Sequence, residues 1–457
     1  MLRTIKSFFN KLVTFVYITY RYATIVFFII FSIACSSCSG NKTQQAPVAV
    51  VTKDTSIIEL PDPSPVSAKE RARIYAASDE WYRRMLAASH FNGGMIVAKK
   101  GNIIFEMYNG TAHIPGKDTI SAVTPMHVAS ISKTFTAMGV LKLWQDGKLN
   151  LDDPFSKYFP QFNYPGVTVR TLLNHRSGLP NYLYFMEDLG WDKTKFIRNE
   201  DVLNTLINRK GELKNIGNPN THFEYCNTNF ALLGLLIEKV SGEKLPDFLK
   251  DTFFGPLHMD NTFVYTDADS AKATPSYDWR NKRYPFGDLD KVYGDKNVFT
   301  TPRDLLTWDR ALTSGKIFKP ETLEQAYKPY SNERAGVKNY GLGWHMYLFP
   351  GGRKIIYHNG WWHGSNAVFT RLLQDSATVI VIGNKFNHNI YKAKDLSNIF
   401  GNYDGNGDDE GDDLNPPATS TPAPPPAATK PHKAVVRHAK KAAAHPVKKV
   451  VKKKKKR

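Results

Sequence analysis

Short apolar runs cluster at the two ends of the central part of the chain. Residues 95–99 and 103–108 are largely apolar stretches, each with one charge, joined by Lys100-Gly101-Asn102, a pattern that predicts a β-hairpin. Residues 354–358, 367–373 and 378–382 repeat the signal far downstream, separated by turns bearing Gly or Asp. Between them the apolar spacing becomes helical over 130–145, 229–240, 303–313 and 321–327. Chain ends that pair into one antiparallel sheet, with a helical insert between them, are the economical assembly. Strands and helices do not alternate, which disfavours a doubly wound parallel sheet. The predicted fold is therefore α+β: an antiparallel sheet from both chain ends, flanked by helices, with an all-helical insert. No repeat of 20–50 residues is present.

The flanks have a different character. Residues 23–34 read ATIVFFIIFSIA, without a charge, behind a basic leader that includes Arg21. Twelve residues at about 1.5 Å each fall short of a bilayer but suit a signal-peptide core. Cys35 follows, with Ala34 before it and Ser36-Ser37 after it, which resembles a bacterial lipoprotein signal with Cys35 as the lipidated residue. An uncleaved membrane anchor from about Leu12 is the competing reading, and either one puts the body outside the cytoplasm, in the cell envelope. Residues 36–66, rich in Gln, Thr, Pro and Ser, read as a tether. The body spans 67–403, and 404–457 reads as a disordered tail, acidic first and then rich in Pro, Ala and Lys.

Composition alters this picture in two places. The net charge of +19 is concentrated: residues 416–457 hold thirteen Lys and Arg and no acid, whereas 404–413 hold six acids. The body is only mildly basic, which argues against a nucleic-acid partner and leaves the tail to meet an anionic envelope surface. Of three cysteines only Cys226 lies in the body, so a disulfide framework or a cysteine-based zinc site is excluded there. The histidines show no ligand spacing, so a metal site has no support.

Candidate chemistry rests on S-x-x-K, which occurs at Ser39/Lys42, Ser130/Lys133 and Ser241/Lys244. Ser39 lies in the tether and Ser241 in a helix exit, VSGEK. Ser130 opens the apolar helix SISKTFTAMGVLKLWQ, where residues three apart share a face and backbone N–H groups meet a developing anion. Lys133 in such a helix is buried, and burial favours a neutral amine able to take the serine proton. An N-cap serine beside a snorkelling lysine is the structural alternative. Y-x-N occurs at Tyr225-Cys226-Asn227, opening onto the helix NFALLGLLIEKV, and at Tyr330-Ser331-Asn332 in a polar stretch. His358-Asn359-Gly360 closes a strand, where a glycine lets a substrate backbone approach the edge. His175 reads as a structural loop histidine and Cys226 as a buried thiol. Trp361, Trp362 and His363 either line a pocket or pack.

In this order, S-x-x-K, Y-x-N and H-x-G resemble the serine β-lactamase (class C type) and penicillin-recognising superfamily. GKLNLDDPFSKYFP, VTVRTLLNHRSGLP, GPLHMDNTFVY, TTPRDLLTWDRAL and YGLGW resemble family segments, from about Gly93 to Asn384. The resemblance implies a β-lactamase/transpeptidase-like fold and no cofactor. It implies Ser130 as nucleophile, Lys133 as its activating partner and Tyr225 as proton shuttle. Asn227, His358, Asn359 and Gly360 would bind substrate, and the backbone N–H groups of Ser130 and Trp361 would form the oxyanion hole. Whether Lys133 or Tyr225 is the base stays open. The family's class C members usually carry K-[TS]-G at the third motif, and His358 departs from it. H-x-G is the form of relatives that act as D-alanyl-D-alanine peptidases, esterases or D-amino-acid amidases. The implied substrate is a small amide, ester or peptidoglycan-derived peptide, with β-lactam hydrolysis or a slow-turnover penicillin sensor as alternatives. A non-catalytic envelope protein working through its tail is a third reading, which the intact Ser130, Lys133 and Tyr225 oppose.

Overall fold

The computed structural model describes residues 56–333 and 336–403. Cys35, the leader, most of the tether and the charged tail lie outside the described residues. The first helix, α1 (Ala68–Met85), starts at Ser67, whose side chain accepts from the Glu70 N–H, and buries the stripe Ile74, Ser78, Trp81, Tyr82. It leads into β1 (Gly93–Lys99) and β2 (Asn102–Asn109). After a long insert the chain returns as β6 (Lys338–Tyr340), β7 (His345–Leu348), β8 (Lys354–Trp362), β9 (Ser365–Leu372) and β10 (Ala377–Gly383). The seven strands form one antiparallel sheet in the order β2-β1-β10-β9-β8-β7-β6. The two chain ends meet where β1 pairs with β10, from Gly93 opposite Gly383 to Lys99 opposite Ala377.

The insert carries α2 (Ser132–Gln145), α3 (Asn199–Asn208), α4 (Asn227–Ser241) and α5 (Pro302–Thr313). It also holds a small sheet, absent from the sequence expectation, of β3 (Met126–His127), β4 (Phe263–Val264) and β5 (Val298–Thr300), in the order β3-β5-β4.

Both faces of the large sheet are covered, which is why β1 and β10 carry near-continuous apolar runs rather than alternating ones. Ile96, Ile356, Phe369, Ile380 and Ile382 face the helical insert. Met95, Val97, Val368, Val379 and Val381 face α1 and the 3₁₀ segment His388–Ile399. α2 is buried along nearly its whole length, and Phe135, Met138 and Leu141 are fully buried. Each contributes roughly 1.5–3 kcal/mol of apolar burial. Among the described residues no helix is long and apolar enough to cross a membrane.

The expected helix at 130–145 begins later than its pattern suggests. Ala129–Ile131 form a 3₁₀ turn, with Ala129 in the left-handed region at φ 48°, and the α-helix proper starts at Ser132.

Candidate active site

Ser130 sits on the tight turn between β3 and α2, and this turn is fastened on two sides. Val128 N–H donates to Val298 O at 3.0 Å, and Val298 N–H donates to Ser132 Oγ at 2.9 Å, which ties the turn to β5. One helical turn on, Lys133 is fully buried and its three ammonium donors have three acceptors. Nζ reaches Ser130 Oγ at 3.1 Å, Asn227 Oδ1 at 2.7 Å and the Asp295 carbonyl at 2.8 Å. Burial depresses the Lys133 pKa to about 7, with Lys296 pushing the same way and Asp295 opposing. Near neutral pH a large fraction of Lys133 is therefore a free amine in contact with the serine hydroxyl. Ser130 is not a helix cap: α2 has no side-chain cap, and the Ser130 hydroxyl is engaged by Lys133 instead.

The Tyr225-Cys226-Asn227 segment is held by His175, itself fully buried with φ 55°. The His175 carbonyl accepts from Glu224 N–H at 2.9 Å, and its Nδ1 accepts from Cys226 N–H at 3.1 Å. Nδ1 is thus unprotonated, and burial, with Lys133 adding to it, holds the ring neutral far below the usual histidine range. His175 is structural, as its sequence context implied, and the structure it supports is Tyr225. The Tyr225 ring lies 4.4 Å from His175, 5.8 Å from His345 in a stack, and 6.3 Å from His358, centroid to centroid. Lys133 Nζ lies 5.0 Å from the same ring centre. Cys226 is buried against the Leu179 carbonyl, and burial lifts its thiol to about 11, so it is inert.

The third motif lies on β8 where β7 no longer covers it. Phe349 N–H donates to Arg353 O, so odd-numbered residues of β8 up to Tyr357 turn their peptide groups toward β7, and even-numbered ones toward β9. β7 ends at His345, opposite Tyr357. Beyond that point the peptide groups of Asn359 and Trp361 face an edge that no strand among the described residues covers. Side chains alternate the other way. His358, Gly360 and Trp362 point to the helical insert, whereas Asn359 and Trp361 point to the α1 face, where the Trp361 ring packs 5.4 Å from Phe386. Asn359 and Trp361 thus offer backbone, not side chain, to the nucleophile side.

His358 is buried and paired within the protein. Its Nδ1 meets the Asn359 carbonyl at 2.6 Å and its Nε2 meets Tyr340 Oη at 3.5 Å. Burial, reinforced by His345 and Lys133, holds it neutral well below the usual histidine range. Gly360 proves necessary for a reason other than substrate approach. A Cβ there would lie 2.1 Å from the Val128 carbonyl oxygen, so the glycine admits the turn that carries Ser130.

Ser130, Lys133, Tyr225, Asn227 and the β8 edge therefore converge. The other pattern matches among the described residues do not. Ser241 Oγ donates to the Ile237 carbonyl, while Lys244 pairs with Glu238 and Glu200 on the surface. Tyr330 belongs to a separate network with Arg170 and Gln325.

Residues 79–399 match the family profile described as Beta-lactamase. The chain belongs to the beta-lactamase family. A penicillin-binding protein of Bacillus subtilis (strain 168) is 32% identical over 312 residues, covering 65% of this chain and 68% of that protein. Protein flp of Staphylococcus aureus (strain NCTC 8325 / PS 47) is 26% identical over 292 residues, covering 60% of this chain and 56% of its own length. Among solved structures, the penicillin-binding protein from Bacillus halodurans shares the fold with a TM-score of 0.61 at 21% identity, covering 69% of this chain and 98% of that one. The D-amino acid amidase from Ochrobactrum anthropi SV3 shares it with a TM-score of 0.57 at 21% identity, covering 73% and 97%.

For a beta-lactamase family member, several site residues carried no signal in the sequence. Asp295 reaches Lys133 through its backbone carbonyl, which any residue could supply. Its carboxylate accepts from Tyr182 Oη at 2.9 Å and lies 3.4 Å from Lys296 Nζ, and both partners are buried. His345, stacked on Tyr225, follows directly on the YGLGW segment and was legible only as its neighbour.

Proposed function

We propose that this protein is an exported serine hydrolase that cleaves an amide or ester through an acyl-enzyme. Ser130 attacks the carbonyl, Lys133 takes its proton, and Tyr225 passes a proton to the leaving group. Asn227 orients the substrate, and the N–H groups of Ser130 and Trp361 receive the oxyanion. Water or an amine then resolves the ester. The observation that carries this reading is a buried lysine of depressed pKa held 3.1 Å from Ser130 Oγ. Residues 1–35 would export or anchor the enzyme, residues 36–66 would tether it, and the basic tail would lie on an anionic envelope surface.

The pH profile tests the base. With neutral Lys133 as base, the second-order acylation rate climbs as pH rises through about 7 and levels off above it, because deprotonation creates the active form. A rate that falls as pH rises through about 7 would mean that the ammonium is required, and would transfer the base role to Tyr225. His345, with its pKa lowered to about 3, stays neutral throughout this window.

The substrate is an uncharged ester or D-amino-acid amide in preference to a penicillin. A penicillin bears a carboxylate close to its reacting carbonyl, and His358 offers it no charge. Lys296, the other buried lysine nearby, is occupied by Asp295 and Tyr182. The ratio of acylation rates, penicillin over a p-nitrophenyl ester, is expected to be below one. His358→Lys, which puts an amine in place of the neutral ring, is expected to raise that ratio. A wild-type ratio well above one would make this a working β-lactamase. Acylation without turnover on every substrate would make it a sensor.

A further inference from the structure

The peptide unit joining Gly360 to Trp361 is held from behind by a residue outside the three motifs. Tyr391 lies in the segment His388–Ile399 on the α1 face of the sheet. Its hydroxyl is 3.0 Å from the Gly360 carbonyl oxygen and 2.6 Å from Asn366 Nδ2. The direction of each bond is fixed by what lies behind it. Asn387 N–H, which can only donate, reaches Asn366 Oδ1 at 3.0 Å, so that atom is the amide oxygen and Nδ2 is the donor to Tyr391. The one phenolic proton is then left for the Gly360 carbonyl. Asn366 is fully buried and Tyr391 nearly so, and burial raises the phenol's pKa, which keeps that proton in place.

In a trans peptide the C=O and the following N–H point in opposite directions. Gly360 turns its carbonyl toward β9 and Tyr391, so the Trp361 N–H is directed to the uncovered edge of β8 on the other side. A donor on the carbonyl also polarises the whole peptide unit and strengthens the bond its N–H gives. We infer that Tyr391 is a positioning residue for the oxyanion hole, acting through the Gly360–Trp361 peptide, with Asn366 and Asn387 fixing its proton. This rests on the proposed role of the Trp361 N–H.

The test uses the full chain acylated by an activated ester, with the acyl-enzyme carbonyl band read by difference infrared spectroscopy. Tyr391→Phe removes one hydroxyl and keeps the ring. The expected result is a carbonyl band at higher frequency, acylation slowed about tenfold as a fraction of what a direct oxyanion donor supplies, and an unchanged KM. Incorporation of 3-fluorotyrosine at position 391 keeps the hydroxyl, makes it a stronger donor and should move the band the opposite way, which carries the test if the phenylalanine variant does not fold. An acyl-enzyme whose band stays at the wild-type frequency in the variant that folds, with rates within twofold, overturns the positioning role and leaves the hydrolase reading standing. A wild-type protein that forms no acyl-enzyme by intact mass overturns both.

Discussion

Gly360→Ala is expected to slow acylation by about a hundredfold or more while the protein stays folded. The added methyl would stand 2.1 Å from the Val128 carbonyl oxygen, 3.1 Å from its carbon and 3.2 Å from Ala129 Cβ. The first of these is more than 1 Å inside ordinary contact, and the obstacle is backbone, which cannot swing aside as a side chain does. Val128 is further held by its own N–H on Val298, while β8 is held by β9 from Ile356 to Trp362. The turn bearing Ser130 must therefore move off the strand bearing the Trp361 N–H. A shift of about 1 Å between reacting groups costs on the order of a hundredfold in rate. Overpacking of this kind also destabilises by roughly 1–3 kcal/mol, visible as a lower Tm. Acylation within about threefold of wild type would show that the turn and the strand do not have to touch for the site to work.

The central part of this fold was legible because its signals are local. Residues 95–98 and 379–382 are apolar without a break, a run typical of strands buried on both faces. The helix over 130–145 announced itself through the absence of any charge but Lys133 before Lys142, and that isolation is what implied the burial of Lys133 and its lowered pKa. Its exact start was not legible. Ala129, at φ 48°, follows the Val128 carbonyl that lies against Gly360, a contact between residues more than two hundred positions apart. Helix α1 had a readable stripe at Ile74, Ser78, Trp81 and Tyr82, spaced by four, three and one, but its low overall hydrophobicity hid it beside the stronger sheet signals.

Within the site, residue types that carry chemistry in their side chains were readable, and groups that act through backbone were not. Ser130, Lys133 and Tyr225 stood out, whereas the Asp295 carbonyl that completes the Lys133 shell leaves no trace in composition. Asn359 was grouped with His358 and Gly360 by sequence adjacency. The strand's alternation turns its side chain away and leaves its peptide at the edge. His175 was read as structural, and what it supports became visible only when its Nδ1 met the Cys226 N–H. The third motif's departure from lysine was the most informative single letter. The structure sharpens it, since His358 is buried as well as weakly basic.

In the proposed mechanism Ser130, activated by Lys133, is the residue that becomes acylated. Three S-x-x-K matches compete in the sequence, and the described residues distinguish two of them. Lys133 Nζ is in contact with Ser130 Oγ, whereas Lys244 points to surface carboxylates and Ser241 to its own helix. The most direct measurement is intact-mass labelling by a serine-reactive acyl probe, applied to wild type, Ser130→Ala, Ser241→Ala and Ser39→Ala under one protocol. The predicted result is one added acyl group on wild type, Ser241→Ala and Ser39→Ala, and none on Ser130→Ala with its melting temperature retained. Undiminished labelling of a folded Ser130→Ala protein would contradict the assignment of the nucleophile.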